Sequence, residues 1–201
     1  MMAWPMARLE HGFQSIHDAY RPKVLRYLTR LAGVREAEDL TQIVMLKISA
    51  GLPDFRGESS LATWIYRIAT HAAIDRLRSP QGGAQEPQGE AQEQLLADST
   101  APSAESTAIR GEMNACIRGF VERLPESYKS VVILSEFEGF ENQQIATILG
   151  ISLDAVKMRL HRAREKLRQD LQTGCSFHRG THNELACDRA AAVAPPPPRP
   201  C

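Results

Sequence analysis

Apolar residues recur at helical spacing from about residue 12 to 33: Phe13, Ile16, Tyr20, Val24, Tyr27, Leu28 and Leu31. Such a stripe marks an amphipathic helix with one buried face. Pro22 lies inside it and predicts a break or kink, because proline lacks the N–H and crowds the preceding turn. Gly33 suits the helix end. A second stripe, Ala37, Leu40, Val44, Leu46 and Ile48, predicts a helix from about Arg35 to Ala50, stopped by Gly51-Leu52-Pro53. After the polar loop DFRGESS comes LATWIYRIATHAAIDRLR, a third helix with Ser59 or Ser60 as N-cap. Its inward face reads as Leu61, Trp64, Ile65, Ile68, Ala72 and Leu77. Thr63, Tyr66, Arg67, Thr70, His71, Ile74 and Arg78 then fall toward the outside.

A second block of helices begins near residue 110. Ile109, Met113, Ile117, Phe120, Val121 and Leu124 form one stripe, and Cys116 near its inward face reads as an inert packed thiol. Leu124-Pro125-Glu126 marks a boundary. The next helix carries Tyr128, Val131, Val132, Leu134 and Phe137 and ends at Gly139. Then follows a short helix with Ile145, Ala146, Ile148 and Leu149, closed by Gly150. Ile151 fills the turn and Ser152 caps a longer helix with Val156, Leu160, Ala163 and Leu167 inside. Two helices joined by a tight glycine turn, the second basic on its outer positions, form the helix-turn-helix pattern.

Between the blocks, residues 79–108 hold Gly, Pro, Gln, Ser, Ala and Glu with almost no large apolar residue. That composition cannot offset the entropy of ordering and reads as a flexible linker. The division is therefore a helical domain at 1–78, a linker at 79–109, a helix-turn-helix domain at 110–173 and a Pro-rich tail at 174–201. The fold class is all-α. No uncharged apolar run reaches the roughly 18–20 residues of a spanning helix, so membrane insertion is not expected. The first residues lack the apolar core of a secretory signal, and the protein reads as cytoplasmic.

Charge changes the picture. The 24 basic and 24 acidic side chains cancel, which on its face argues against a nucleic-acid partner. Split by segment, residues 1–78 carry a net +3, residues 79–109 carry −5, and residues 110–174 carry +1. Within 157–168 stand Lys157, Arg159, Arg162, Arg164, Lys166 and Arg168 against one acid, Glu165. The acidic linker either stands in for DNA on its partner or is a solubilising tether.

An α-helix fits the major groove and presents its N-terminal residues to base edges. Here these are Ser152, Asp154, Ala155, Lys157, Met158 and Arg159. Arg159 or Arg162 has the fork that pairs with guanine, Arg164 suits a phosphate, and Ala155 suits a thymine methyl.

Two segments together resemble the extracytoplasmic-function (ECF) sigma factors of the bacterial sigma-70 family. DLTQ, F-x-G-E-S-S, TW-x-YRIA and AIDRLR are similar to the family's second conserved region. LPESY and IATILGIS followed by VKMRLHRAR are similar to its fourth. The resemblance implies a dissociable, non-enzymatic subunit of RNA polymerase, with the core enzyme and promoter DNA as partners. It leaves open an anti-sigma factor. Asp39, Leu40, Thr41, Gln42 and Leu46 match the surface that docks on the core enzyme, although Leu40 and Leu46 read equally as interior residues. Phe55, Arg56, Gly57, Glu58 and Ser59 match the loop that takes a base flipped from the −10 element, where polar groups and a flat apolar surface meet the need of an extruded base. There Gly57 is expected to permit close backbone approach. Trp64, Tyr66, Arg67, His71 and Arg78 match the helix beside the melted strand, with Trp64 also readable as core. The residues from Ser152 to Arg164 named above match the −35 reader. Glu141-Asn142 stands where Ser or Thr commonly caps the first helix of the turn motif, and Asn142 would cap with a shift of one residue.

The tail adds Cys175, His178, His182 and Cys187, a C-x2-H-x3-H-x4-C spacing. Promoter recognition requires no cofactor, but Cys2His2 sets suit Zn²⁺ and soft thiolates take Cu(I). A metal site, a Cys175–Cys187 redox pair and a plain tail all fit the sequence. The alternative function for the protein is a helix-turn-helix repressor or activator on duplex DNA. A metalloenzyme built on the tail lacks a nearby general base.

Overall fold

The computed structural model describes residues 12–78, 117–179 and 185–189. The linker, Cys116, His182 and the final prolines fall outside the described residues. In the first domain α1 spans Gly12–Ala32, α2 Val34–Gly51 and α3 Leu61–Arg78, with a 3-10 turn at Leu52–Asp54. In the second, α4 covers 117–122, α5 is Glu126–Val132, α6 is Asn142–Leu149 and α7 is Leu153–Gly174. A π turn, Ile133–Phe137, extends α5.

The expected break at Pro22 does not occur. α1 runs unbroken through it, because Pro22 and Asp18, whose carbonyl loses its partner, both face solvent. In α2 the buried stripe is Ala37, Leu40, Thr41, Val44, Met45 and Ile48, while Leu46 is 71 % exposed. Leu46 stands two residues from both Val44 and Ile48, about 200° round the helix, so it could not share their face. α3 starts on Ser60, whose hydroxyl accepts the Thr63 N–H at 3.1 Å; of the two serines offered as cap, this is the one used.

α6 starts on Glu141, whose N–H donates to Gln144 Oε1 at 2.9 Å. Asn142 is therefore the first helical residue and not the cap. Gly150 closes α6 at φ 64°, a left-handed conformation open to glycine, and Ser152 Oγ accepts the Ala155 N–H at 3.2 Å to start α7. Val156, Leu160 and Ala163 are buried as their spacing requires.

A finding the sequence did not announce follows α7. Cys175–Arg179 pairs antiparallel with Leu185–Arg189, making a two-stranded ribbon, β1–β2, where a plain tail was one expectation. The ribbon leaves α7 through Gly174, where a β-carbon would stand 2.7 Å from the Phe120 ring, and through a buried Cys175. Only glycine lets that ring close over the end of α7.

The buried residues of both domains form one continuous cluster, with α3 packed on α6. This junction decides what faces solvent at the site.

Candidate nucleic-acid interface

The 3-10 turn leads into the Phe55–Ser59 loop, where the Phe55 N–H donates to the Leu52 carbonyl at 3.2 Å. Gly57 has φ 73°, a value that side chains strain to adopt, and no atom lies within 4 Å of its would-be β-carbon. Glycine is thus required here for the turn itself, and the space above it is open. Phe55 leans on Trp64, with ring centroids 5.1 Å apart. The other edge of Trp64 lies against Gly51, where a β-carbon would sit 3.1 Å from its ring. Trp64 is half-buried, so both readings of it meet in one residue: it supports the loop and lines the cleft.

That cleft, about 470 Å³, is lined by Asp54, Phe55, Arg56, Glu58, Ser59, Trp64 and Arg67, with Thr147 of α6 as its far wall. Two flat rings beside a guanidinium and hydroxyl and carboxylate oxygens offer stacking and hydrogen bonding to one planar group. Arg56, Gly57, Glu58, Arg67, His71 and Arg78 are exposed.

Tyr66 is different. Assigned to the outside of α3, it is only 4 % exposed. Thr63 and Thr70, assigned with it, are also buried. The reason is a second packing partner: α1 and α2 cover one side of α3 while α6, with Glu138 and Phe140 just after the π turn, covers another. Tyr66 Oη donates to Glu138 Oε2 at 2.5 Å, and its ring meets Phe140 edge-on at 4.8 Å. Burial, reinforced by the bond to the Glu138 carboxylate, pushes its phenol pKa far above the usual range. Tyr27 beneath it shares a 2.7 Å hydrogen bond with Thr70.

On α7, Ser152, Asp154, Lys157, Met158, Arg162 and Arg164 are exposed, and Ala155 and Arg159 are partly so. Lys166 pairs with Asp170 at 3.3 Å and Arg168 with Glu165 at 3.2 Å. Arg164 is held by Glu136 of the π turn at 2.7 Å. Lys157, Arg159 and Arg162 have no acidic partner among the described residues. The first half of α7 therefore carries the uncompensated positive charge, and the second half largely neutralises itself.

On α2, Leu40 and Thr41 are buried, and Thr41 Oγ1 donates to the Ala37 carbonyl at 2.6 Å. Neither residue is available to a partner. Asp39, Gln42 and Leu46 are exposed, and between them Ile43, which the sequence reasoning passed over, is 44 % exposed. Its signal was its spacing, four residues after Asp39 and three before Leu46. Arg76 Nε reaches Glu36 Oε2 at 2.5 Å and ties α3 to this helix. That bond holds the Glu36 carboxyl below the usual carboxylate range.

In the ribbon, Cys175 stands opposite Arg189, Cys187 opposite Phe177 and His178 opposite Ala186. The two cysteines are thus in phase across the strands, and His178 is one position out of phase with them.

Comparisons with known proteins agree with this geometry. Residues 16–82 match sigma-70 region 2 and residues 114–167 match sigma-70 region 4. The sequence is 31% identical over 171 residues to the ECF RNA polymerase sigma factor SigW of Bacillus subtilis, covering 81% of this protein and 90% of that one. It is 32% identical to the RNA polymerase sigma-H factor of Pseudomonas aeruginosa, over 82% of this protein and 91% of that one. Among solved structures it resembles the sigma factor RpoE bound to the anti-sigma factor NepR from Bartonella quintana. The TM-score is 0.62 at 20% identity, covering 80% of this protein and 96% of that one. It also resembles CnrH in complex with the cytosolic domain of CnrY. There the TM-score is 0.58 at 20% identity, covering 82% and 90%. Two helical domains of the sigma-70 type, one with an aromatic-lined cleft and one with a helix-turn-helix, define a promoter-recognition subunit. The protein belongs to the ECF RNA polymerase sigma factors. A sigma factor is not an enzyme. No helix among the described residues is long and apolar enough to cross a membrane.

Proposed function

We propose a division of labour among the residues of this sigma factor. The α2 face made by Asp39, Gln42, Ile43 and Leu46 docks on core polymerase. An exposed apolar pair flanked by Asp39 and Gln42 suits a protein partner, because docking buries the apolar area while the polar groups at its edge fix the register. The N-terminal half of α7 enters the −35 major groove, with Arg159 and Arg162 reaching for guanine and Lys157 for phosphate. The Phe55–Ser59 loop receives one base unstacked from the −10 element. Trp64 and Phe55 supply the stacking surface, and Arg56, Glu58 and Ser59 supply hydrogen bonds. Arg67, His71 and Arg78 follow the displaced strand.

The observation that carries this reading is the cleft itself. A duplex-binding repressor has no use for paired rings and a polar loop facing one cleft. The test is run-off transcription with core polymerase. Arg56→Ala is expected to lower open-complex formation while leaving core binding intact. Failure to bind core, combined with tight binding to a palindromic duplex, would establish the repressor reading instead.

The protein acts in the cytoplasm with the polymerase. An anti-sigma protein is the expected regulator, since the RpoE relative is solved in complex with the anti-sigma factor NepR. For the tail, the in-phase positions of Cys175 and Cys187 support a thiolate site for Zn²⁺ or Cu(I), with His182 as a further ligand, whereas His178, one position out of phase, falls on the opposite face of the ribbon and does not join them. Promoter recognition itself needs no metal. Transcription should then respond to metal or oxidant, and a protein truncated after residue 173 should not. An equal response from both forms rejects the sensor.

A further inference from the structure

One flank of α7 carries Lys157, His161, Arg164 and Arg168, which follow one another at steps of four, three and four residues. Such steps place successive side chains one above another on a helix. Lys157 stands near the end proposed to meet the bases. Arg164 lies about 10 Å further along the axis, a distance comparable with the roughly 8.5 Å depth of the major groove. With the N-terminal end of α7 in the groove, that height is the level of the phosphates, where a cation adds affinity but reads no sequence.

Arg164 is nevertheless occupied. Its Nη2 donates to Glu136 Oε1 at 2.7 Å, and Ser135 Oγ donates to the same oxygen at 3.2 Å, so the carboxylate is held from two sides. The π turn sets it there. Ile133 and Leu134 are fully buried and anchor the turn, and its wide winding lets the Glu138 N–H donate to the Ile133 carbonyl at 3.1 Å. Both partners of the pair are largely exposed, Glu136 at 49% and Arg164 at 60%, and exposed pairs contribute little to stability. What the pair changes is charge. The other two cations of this half, Lys166 and Arg168, meet acids of α7 itself at ordinary helical spacing. Glu136 reaches Arg164 from another element, 28 residues away.

We propose that Glu136 is a built-in counter-ion that withholds Arg164 from the duplex backbone and confines DNA contact to the N-terminal half of α7. This rests on the −35 role proposed above for that half. Binding to duplex of arbitrary sequence is electrostatic, so each cation withheld weakens it. Lys157, Arg159 and Arg162 then supply the positive charge next to the base edges, and bulk duplex holds less of the sigma factor.

The test measures binding of the full-length protein to a random-sequence duplex of about 20 base pairs, by fluorescence anisotropy from about 50 to 200 mM salt. Elution from heparin-agarose gives a second reading of the same electrostatic contact. Glu136→Gln should bind the duplex several-fold more tightly, with a log–log salt slope steeper by about 0.9, the value of one added phosphate contact, and should leave heparin at higher salt. Arg164→Gln should keep the slope of the unaltered protein, and the double variant should return to it. Circular dichroism verifies that the helices persist in each. A flatter slope for Arg164→Gln overturns the proposal, because Arg164 would then already touch a phosphate. An unchanged slope for Glu136→Gln, or a steeper one that survives in the double variant, overturns it as well. Lys157→Gln checks the underlying reading and should flatten the slope by about 0.9. If it does not, α7 is not the duplex-binding face and both readings fall. If it does while Glu136→Gln changes nothing, the −35 role stands and the counter-ion alone is rejected.

Discussion

The two helices proposed to face DNA, α3 and α7, carry the same kind of pattern, yet the pattern predicts them with different success. For α7 the inward residues Val156, Leu160 and Ala163, the Ser152 cap and the exposed basic positions all stand where their spacing puts them. For α3, three residues assigned outward, Thr63, Tyr66 and Thr70, are buried. The helices differ in the number of their neighbours. α7 packs on its own domain along one stripe. α3 is enclosed by its own domain on one side and by the other domain on the next. Periodicity reports where a helix is apolar, and a Tyr or Thr whose hydroxyl finds a buried partner does not register as apolar.

The largest expected effect sharpens the shared part of the comparison. Ile65→Ala empties a fully buried site on α3 and should destabilise the first domain by about 2–5 kcal/mol, read by thermal or denaturant melting. Leu46→Ala on exposed α2, by contrast, should leave melting unchanged and weaken the binding of core polymerase.

Tyr66→Phe probes the unshared part. It removes a donor to a buried carboxylate, and should cost about 1–3 kcal/mol in the full-length protein. A cost near zero would mean that Tyr66 behaves as the outward residue its spacing suggested. On α7 the matching change, Ser152→Ala, removes the cap to the Ala155 N–H and should cost about 1 kcal/mol.

The smallest effect is a pH dependence. Glu36 is held below the usual carboxylate range by Arg76. Its contribution is therefore present above the unfolded carboxylate pKa and is lost as pH falls through the lower folded value. Glu36→Gln should flatten the acid limb of the first domain's stability curve, and an unaltered limb would show that the Arg76 bond contributes nothing.

Much of the site was legible because its chemistry is local. The Phe55–Ser59 loop, Trp64 and the α7 N-terminus each depend on residues close in sequence. Glu138 and Thr147 were not legible. They reach the first domain across the intervening segment, and nothing in their neighbours' spacing marks a carboxylate that will meet Tyr66. Leu46 reads two ways in the sequence, as interior and as docking surface, and the helical angle that separates it from Val44 and Ile48 decides for the exposed reading. Gly57 has a second reason that its neighbours in sequence do not announce, a left-handed turn conformation, beside the close approach of a base expected of it.

The claim that the two domains divide the promoter is tested most directly by core-dependent transcription from a library randomised at both elements. Three proteins are compared: unaltered, Arg162→Ala and Arg56→Ala. Arg162→Ala should relax base preference at the −35 element alone, and Arg56→Ala should reduce opening at the −10 element with −35 preference unchanged. If both variants alter the same element, or neither changes either one, the division of labour between α7 and the α3 cleft is wrong.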